Sequence, residues 1–225
     1  MASAALARDC EFNQLFSRLP CRASERIIDA PAGGAYLQDF LHRSNPGKQP
    51  QFVNLEFTPG FSQRPSIVDP YGDWPVELGW ADRAICLAAS HHIVNLQALL
   101  DNFFRYTRPG GLIQLADVEP GSGIARFLDG FVDAYTPSGH RGLYRSFHDF
   151  AWPAWMTVLS VERRLCPWWF DSESQMLHFC MNLFGLDAAA LAGLRDALDR
   201  DVGIVSHGDA VALQWQLVYV DARRH

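Results

Sequence analysis

Five places along the chain carry side chains able to do chemistry, and each closes a short apolar run. Asp29 follows Arg26-Ile27-Ile28, and Glu56 follows Phe52-Val53-Asn54-Leu55. Asp69 follows Ser66-Ile67-Val68, His91 and His92 follow Ala84-Ile85-Cys86-Leu87-Ala88, and Asp117 follows Leu112-Ile113-Gln114-Leu115-Ala116. One polar residue ending a strand says little. Five in succession put carboxylates and imidazoles on one edge of a parallel sheet, where ligands of such sheets bind. After Asp29 comes a loop of small residues, Ala30-Pro31-Ala32-Gly33-Gly34. Glycine there lets backbone approach a ligand closely. The helix behind it would offer free N–H groups and a positive dipole end. Glu56, 23 residues beyond Gly33, could accept both hydroxyls of a ribose, and Asp69 could accept from an adenine amino group. Together they describe a nucleoside-bearing cofactor lying across the sheet edge.

The elements that must position these residues alternate in type. Leu37, Phe40 and Leu41 fall at helical spacing, as do Leu96, Leu99, Leu100, Phe103 and Phe104. Arg108-Pro109-Gly110-Gly111 should stop the second of these helices. Strands alternating with helices predict a parallel sheet covered on both faces. A weak amphipathic helix is expected from Ala5 to Leu19, ended by Pro20. Downstream, Thr157 to Val161 reads as a sixth strand. Ser172 with Gln175 marks a helix start, and Asp187 is expected to cap a further helix through Leu191, Leu194 and Leu198, closed near Gly203. Val211, Leu213, Trp215, Leu217 and Tyr219 alternate with Ala212, Gln214, Gln216 and Val218. That period of two predicts one antiparallel last strand in a mixed sheet.

Taken in order, these motifs resemble those of class I S-adenosylmethionine-dependent methyltransferases. Ile28-Asp29-Ala30-Pro31-Ala32-Gly33-Gly34-Ala35 is similar to the family's first motif, Val53-Asn54-Leu55-Glu56-Phe57-Thr58-Pro59 to the second, and Val68-Asp69-Pro70 to the third. Ala81 to Ile93 is like the fourth strand and the turn after it, and Arg108-Pro109-Gly110-Gly111 is like the turn before strand five. The resemblance spans about residues 24 to 220. Pro31 stands where the family usually has its first Gly, and Ala35 where a third is often found; proline also removes one N–H donor from the loop. The resemblance implies an α/β, Rossmann-like, seven-stranded, mostly parallel sheet with an antiparallel last strand and helices on both faces. It implies S-adenosylmethionine as cofactor, held by Asp29, Ala30, Pro31, Ala32, Gly33, Gly34, Tyr36, Glu56, Phe57, Asp69, Pro70, Leu87 and Ala88. Asp69-Pro70-Tyr71-Gly72 would equally make a good turn.

On the acceptor side, His91, His92 and His140 are the candidate bases. Structural roles compete: His91 or His92 could cap the next helix, and His140, in Ser138-Gly139-His140-Arg141-Gly142, could be a solvated loop residue. The 117–155 segment is rich in aromatic residues interleaved with Arg126, Arg141 and Arg145. It is expected to form a substrate lid, with a second small core or a dimer contact as the alternatives. Asp117, Glu119, Arg126, Tyr144 and Trp152 are its substrate-binding candidates, and a carboxylate there could orient His91 or His140. His207 is expected in a surface turn before the last strand.

The chain has 225 residues and a net charge of −6. Its 48% hydrophobic and 20% charged content is that of a folded chain. One domain over residues 1–225 is expected, with 1–23 as an N-terminal cap. The acidic balance opposes nucleic-acid binding. Its 19 basic residues include a single lysine, Lys48, followed by Gln49 rather than Ser or Thr. This excludes a phosphate loop of the Gly-Lys-Ser/Thr kind and leaves little for Schiff-base chemistry. The five cysteines lack C-x-x-C spacing, so neither a disulfide framework nor a metal site is expected. No export signal or membrane-length apolar run is seen, which points to a cytoplasmic protein acting on a small molecule, without nucleic-acid or membrane partners. A homodimer is left open. Two alternatives stand beside methyl transfer: a relative that binds the cofactor but catalyses another reaction or serves a partner, and an NAD-dependent dehydrogenase.

Overall fold

The computed structural model describes residues 6–47, 50–59 and 66–225; Lys48 lies outside them. In chain order the elements are α1 (Asp9–Phe16), β1 (Arg26–Asp29), α2 (Tyr36–Ser44), β2 (Gln51–Glu56), β3 (Ser66–Ile67), β4 (Ala81–Leu87), α3 (Leu96–Tyr106) and β5 (Thr107–Asp117). They continue with β6 (Met156–Leu165), β7 (Trp168–Phe170), α4 (Glu173–Leu183), α5 (Leu191–Asp201), β8 (Ile204–His207), β9 (Ala210–Leu213) and β10 (Gln216–Arg224). Between β5 and β6 a helix over 123–135 changes from α to π winding at Phe127–Val132 and back.

Seven strands form the main sheet in the order β3-β2-β1-β4-β5-β10-β6. The pairs from β3 to β5 are parallel, and β10 runs antiparallel to both β5 and β6. The chain builds outward from β1 to β3, then returns to lay β4 on the other side of β1. Strand order therefore reverses between β1 and β4, which opens a crevice at their carboxyl ends. Register aligns those ends: Asp29 pairs with Asn54 and Ile85, and Leu87 with Ala116.

Alternation along each strand feeds two cores. Ile27 and Ile85 face the side packed by α1, α2 and the 123–135 helix, with Phe12, Phe40 and Phe127 buried there. Ile28, Ala84 and Cys86 face the side covered by α3, with Leu99, Leu100 and Phe103 fully buried. At the far end of the sheet Arg83, only 1% exposed, donates to Glu25, Gln114 and the Leu19 carbonyl. Gln114 passes this network on to Asp221 and the Leu15 carbonyl.

Several expectations are corrected. The regular part of the first helix is short, because Ser17 ends it before Pro20 is reached. Thr107-Arg108-Pro109-Gly110-Gly111 does not separate α3 from a later strand. It is the start of β5, which bulges where Ala81 pairs with Thr107 but Arg83 pairs with Leu112. Gly110 has φ +74°, and a Cβ on Gly111 would press on the Arg108 and Asp82 carbonyl oxygens. β6 extends to Leu165 along the sheet margin. Asp187 makes no side-chain cap; a 3-10 turn at Ala188–Ala190 leads into α5 instead. The alternation from Val211 to Tyr219 is two strands, not one. The Trp215 carbonyl accepts from Cys166 N and its ring stacks on Trp168 at 4.0 Å, which breaks the run at Gln214-Trp215. β9 then pairs with β7 and β8 in a small second sheet, while β10 alone enters the main one. His207 closes β8 at the turn into β9, as a surface residue.

Other helix-end signals hold. Ser172 Oγ accepts from Gln175 N, and Gly203, at φ +94°, closes α5 through a bond from its N–H to the Leu198 carbonyl. Among the described residues no helix is long and apolar enough to cross a membrane.

Candidate active site

The loop after β1 is pinned at both ends by its neighbours. Ala30 N donates to the Ile85 carbonyl and Ala32 N to the Leu55 carbonyl, both at 2.9 Å, so β2 and β4 hold the loop between them. The Ala30–Pro31 peptide is cis. Gly33, Gly34 and Ala35 then adopt successive left-handed conformations, with φ of +54°, +93° and +67°. Two of the three are glycine, which takes that region without cost. Ala35, fully buried before α2, holds it at roughly 1–2 kcal/mol. A Cβ on Gly33 would meet nothing within 4 Å, whereas one on Gly34 would press on the Tyr36 ring at 3.3 Å.

Glu56, at the end of β2, turns its carboxylate into this loop and accepts from Gly34 N at 2.9 Å. Burial raises its pKa above the ordinary carboxylate value, and the N–H groups of Gly34 and Gly33 pull it back. Asp29 is buried beside it. Burial first, then the charge of Glu56, holds Asp29 well above the usual range, against the opposing charge of Arg8. Two crowded carboxylates facing an open glycine suit a ligand that brings hydroxyl or cationic groups. At the end of β4, Ala88 takes φ +52° while its N–H donates to the Ala116 carbonyl at 2.7 Å. Asp69 is exposed, and its Oδ1 accepts from Tyr71 N at 2.8 Å, so the turn suggested by its neighbours is formed. Phe57 stacks on Trp74, and the Pro70 carbonyl accepts from Asn102.

The three histidines converge. His91 and His92 lie in a 3-10 turn at Ser90–His92, and His140 comes from the 117–155 segment. Ring centroids are 4.0 Å apart for His91–His92, 5.4 Å for His91–His140 and 5.1 Å for His92–His140. Asp117, 3% exposed, organises the cluster from the end of β5. Its Oδ2 accepts from Ser90 Oγ and from His91 N at 2.7 Å, and its Oδ1 accepts from Val118 N and faces His91 Nδ1, each at 2.7 Å. The His91 imidazole and these hydrogen bonds outweigh burial and keep Asp117 below the ordinary carboxylate value. An ionised carboxylate only accepts, so His91 Nδ1 is the donor in this contact.

Asp129, in the π turns of the 123–135 helix, does the same for His140. Its Oδ1 lies 3.3 Å from His140 Nδ1 and accepts from Gly142 N and Tyr144 Oη. Tyr144 stacks on His91 at 5.2 Å. Partial desolvation by the packed atoms around its ring, and then the neighbouring His91 and His140, push His92 down to about 4, although the residue stays exposed on its outer side; burial and His91 lower His140. The 117–155 segment is tied to the backbone of the turn: Leu143 N donates to the His91 carbonyl, and the Arg145 guanidinium donates to the carbonyls of Ser90, Ile93 and Val94.

Of the other substrate-side expectations, Tyr144 and Asp117 join the cluster and three residues make their contacts elsewhere. Glu119 pairs with Arg163, and Arg126 binds the Gly121 carbonyl and faces Asp201 at 3.7 Å. Trp152 packs on Phe147 and Phe150 in the α3-side core. Of the other two arginines of the segment, Arg141 pairs with Asp133 and Arg145 binds backbone carbonyls. Nothing in the sequence around Asp129 marks it. Its role comes from π winding inside a helix, which local spacing does not announce.

No family model matches the chain, and no curated protein matches it. Solved structures do. A candidate methyltransferase of Bacillus halodurans superimposes with a TM-score of 0.60 at 14% identity, over 95% of this chain and 98% of that one. Phosphoethanolamine N-methyltransferase 2 of Haemonchus contortus, in complex with S-adenosyl-L-methionine, gives 0.59 at 11% identity, over 95% of this chain and 52% of that one. The [4+2]-cyclase SpnF gives 0.52 at 16% identity, over 96% of this chain and 80% of that one. The fold of this chain is that of the class I S-adenosylmethionine-dependent methyltransferases.

Proposed function

We propose that the chain transfers a methyl group from S-adenosylmethionine to a nucleophile on a small molecule. The observation that carries this reading is the pair Asp29 and Glu56, which bracket a loop left open at Gly33 at the point where strand order reverses. Glu56 would take the ribose hydroxyls, and Asp29 the positively charged end of the ligand. Gly33, Gly34 and the N-terminus of α2 would line its path, and Leu87, Ala88 and Phe57 would lie along the nucleoside. When bound, the cofactor's sulfonium supplies an already activated methyl group. What remains for this chain is alignment, worth about 7–11 kcal/mol in well-oriented systems. The histidine cluster, beyond β4 and under the 117–155 segment, is the part that would meet the acceptor. Asp117 and Asp129 hold the Nδ1 sides of His91 and His140, leaving the Nε2 sides for that encounter.

Calorimetric titration with S-adenosylmethionine and S-adenosylhomocysteine tests the reading. Wild type should bind with micromolar affinity, and Glu56→Ala should weaken it tenfold or more, about 1.4 kcal/mol. A folded wild-type protein that binds neither ligand would overturn it. A second reading, a cofactor-binding protein with another chemistry, is favoured by Pro31, which takes one N–H donor from the loop. The cyclase SpnF has the same fold. Binding without demethylated cofactor, over a panel of hydroxyl, thiol and amine acceptors, would favour that reading.

A further inference from the structure

No metal site is expected from the cysteines, but the histidines form a constellation that a general base does not need. One ring nitrogen from each of His91, His92 and His140 lies within 4.8 Å of the other two. Three ligands of one tetrahedral ion, at about 2.0–2.1 Å from it, stand about 3.3 Å apart. Binding an ion would draw the most distant of these nitrogens about 1.5 Å closer together. A carboxylate stands behind each of two rings, Asp117 on His91 Nδ1 at 2.7 Å and Asp129 on His140 Nδ1 at 3.3 Å. Such carboxylates fix tautomer and orientation in metal-ligating histidines. Asp117 is further held by Ser90 and two backbone N–H groups, and Asp129 by Gly142 N and Tyr144 Oη, so both sit in built networks. Two of the histidines come from the turn after β4 and the third from the overlying segment, which is tied down through Leu143 and Arg145.

We propose that His91, His92 and His140 form a binding site for one divalent transition-metal ion of the zinc type, with a coordination position left open. Three imidazoles suit zinc and its first-row neighbours, whereas magnesium and calcium take oxygen ligands. Three protein ligands with a vacant fourth position are the pattern of catalytic rather than structural zinc. His92 is exposed while His91 is buried, so the cluster can be reached from solvent. This extends the methyl-transfer reading, and its second half rests on it. An acceptor hydroxyl or thiol bound to the ion releases its proton to water and stays on the metal as the nucleophile. It then attacks the methyl carbon while the carbon–sulfur bond breaks, its electron pair remaining on sulfur as the neutral thioether. The three imidazoles are then ligands and not proton acceptors.

The test uses tag-free, full-length protein stripped with a chelator and titrated with Zn2+, and with Co2+ as a spectroscopic reporter. One equivalent should bind, and the Co2+ complex should show the intense visible bands of a tetrahedral or five-coordinate ion. His92→Ala and His140→Ala should each weaken Zn2+ binding at least tenfold, and Asp129→Asn roughly 10–100-fold. His178→Ala, at an exposed position on α4, should leave it unchanged. The wild-type Co2+ spectrum decides the matter even where a histidine variant folds poorly. Zn2+ binding that is absent, or equal in wild type and His140→Ala, or a Co2+ spectrum of octahedral aquo character, would overturn the proposal. Titration with S-adenosylmethionine in parallel separates the two readings. Metal bound without cofactor keeps the ion site and removes methyl transfer; cofactor bound without metal removes the ion site alone.

Discussion

Asp117→Asn is the substitution whose cost the structure defines most closely. The carboxylate is buried and accepts four hydrogen bonds, two on each oxygen: Ser90 Oγ and His91 N on Oδ2, His91 Nδ1 and Val118 N on Oδ1. An amide turns one of those oxygens into a donor. If it replaces Oδ2, the Ser90 hydroxyl can reverse and accept, but His91 N then faces another N–H. If it replaces Oδ1, His91 can change tautomer, but Val118 N is orphaned. Either way one buried backbone N–H loses its partner, at about 1–3 kcal/mol. The surviving bonds also fall from charge-assisted to neutral strength, roughly 1 kcal/mol each. The sum is about 3–5 kcal/mol. For a chain of this length that is a fall of roughly 6–20 °C in Tm. Urea unfolding at pH 7 with an unchanged m-value measures it. The downfield Nδ1 proton of His91 should also disappear or move by NMR. A loss below about 1 kcal/mol would refute the argument, because it would mean the four contacts do not coexist.

The remaining expectations concern other links between sequence and structure. A Cβ on Gly123 would overlap the carbonyl oxygen of Asp201, so Gly123→Ala should lever the 123–135 helix off α5 and cost about 1–3 kcal/mol by thermal unfolding; no loss would show that the two can separate freely. Arg83→Met leaves Glu25 charged and buried, so chemical denaturation should show a loss of about 3–5 kcal/mol, and a neutral result would contradict the network. Asp29 faces Glu56 on β2, Arg8 before α1 and Cys86 on β4, and its folded pKa lies above its unfolded one. Its charge therefore opposes folding as pH rises, so Asp29→Asn should raise Tm more at pH 8 than at pH 5, and an equal effect would refute it. By the same sign, a cationic ligand that needs ionised Asp29 should release a proton on binding. Calorimetry in two buffers of different ionisation enthalpy would show this, and identical enthalpies would count against it.

The carboxyl-end residues were legible because the signal is local. A short, largely apolar run ended by Asp or Glu reads the same whatever surrounds it, and Asp29, Glu56 and Asp117 stand at their strand ends as expected. Helix stops are local too, as Gly203 shows by its left-handed φ. Three things needed the third dimension. The Val211–Tyr219 alternation is equally compatible with one strand or two. Only the stack of Trp215 on Trp168 and the bond from Cys166 N decide that it breaks. The Pro109-Gly110-Gly111 turn became a bulge within β5 because β4 offers a pairing partner on both sides of it. His140 lies 48 residues beyond His92, and no periodicity relates them. Their meeting depends on a π-wound helix that presents Asp129, and on Arg145 holding the segment to the turn after β4. Sequence alone determined the α/β class, the sheet edge and the residue types along it, because each follows from short-range patterning. Tertiary structure decided which of those residues touch, because contacts between distant segments are set by packing that no local spacing encodes.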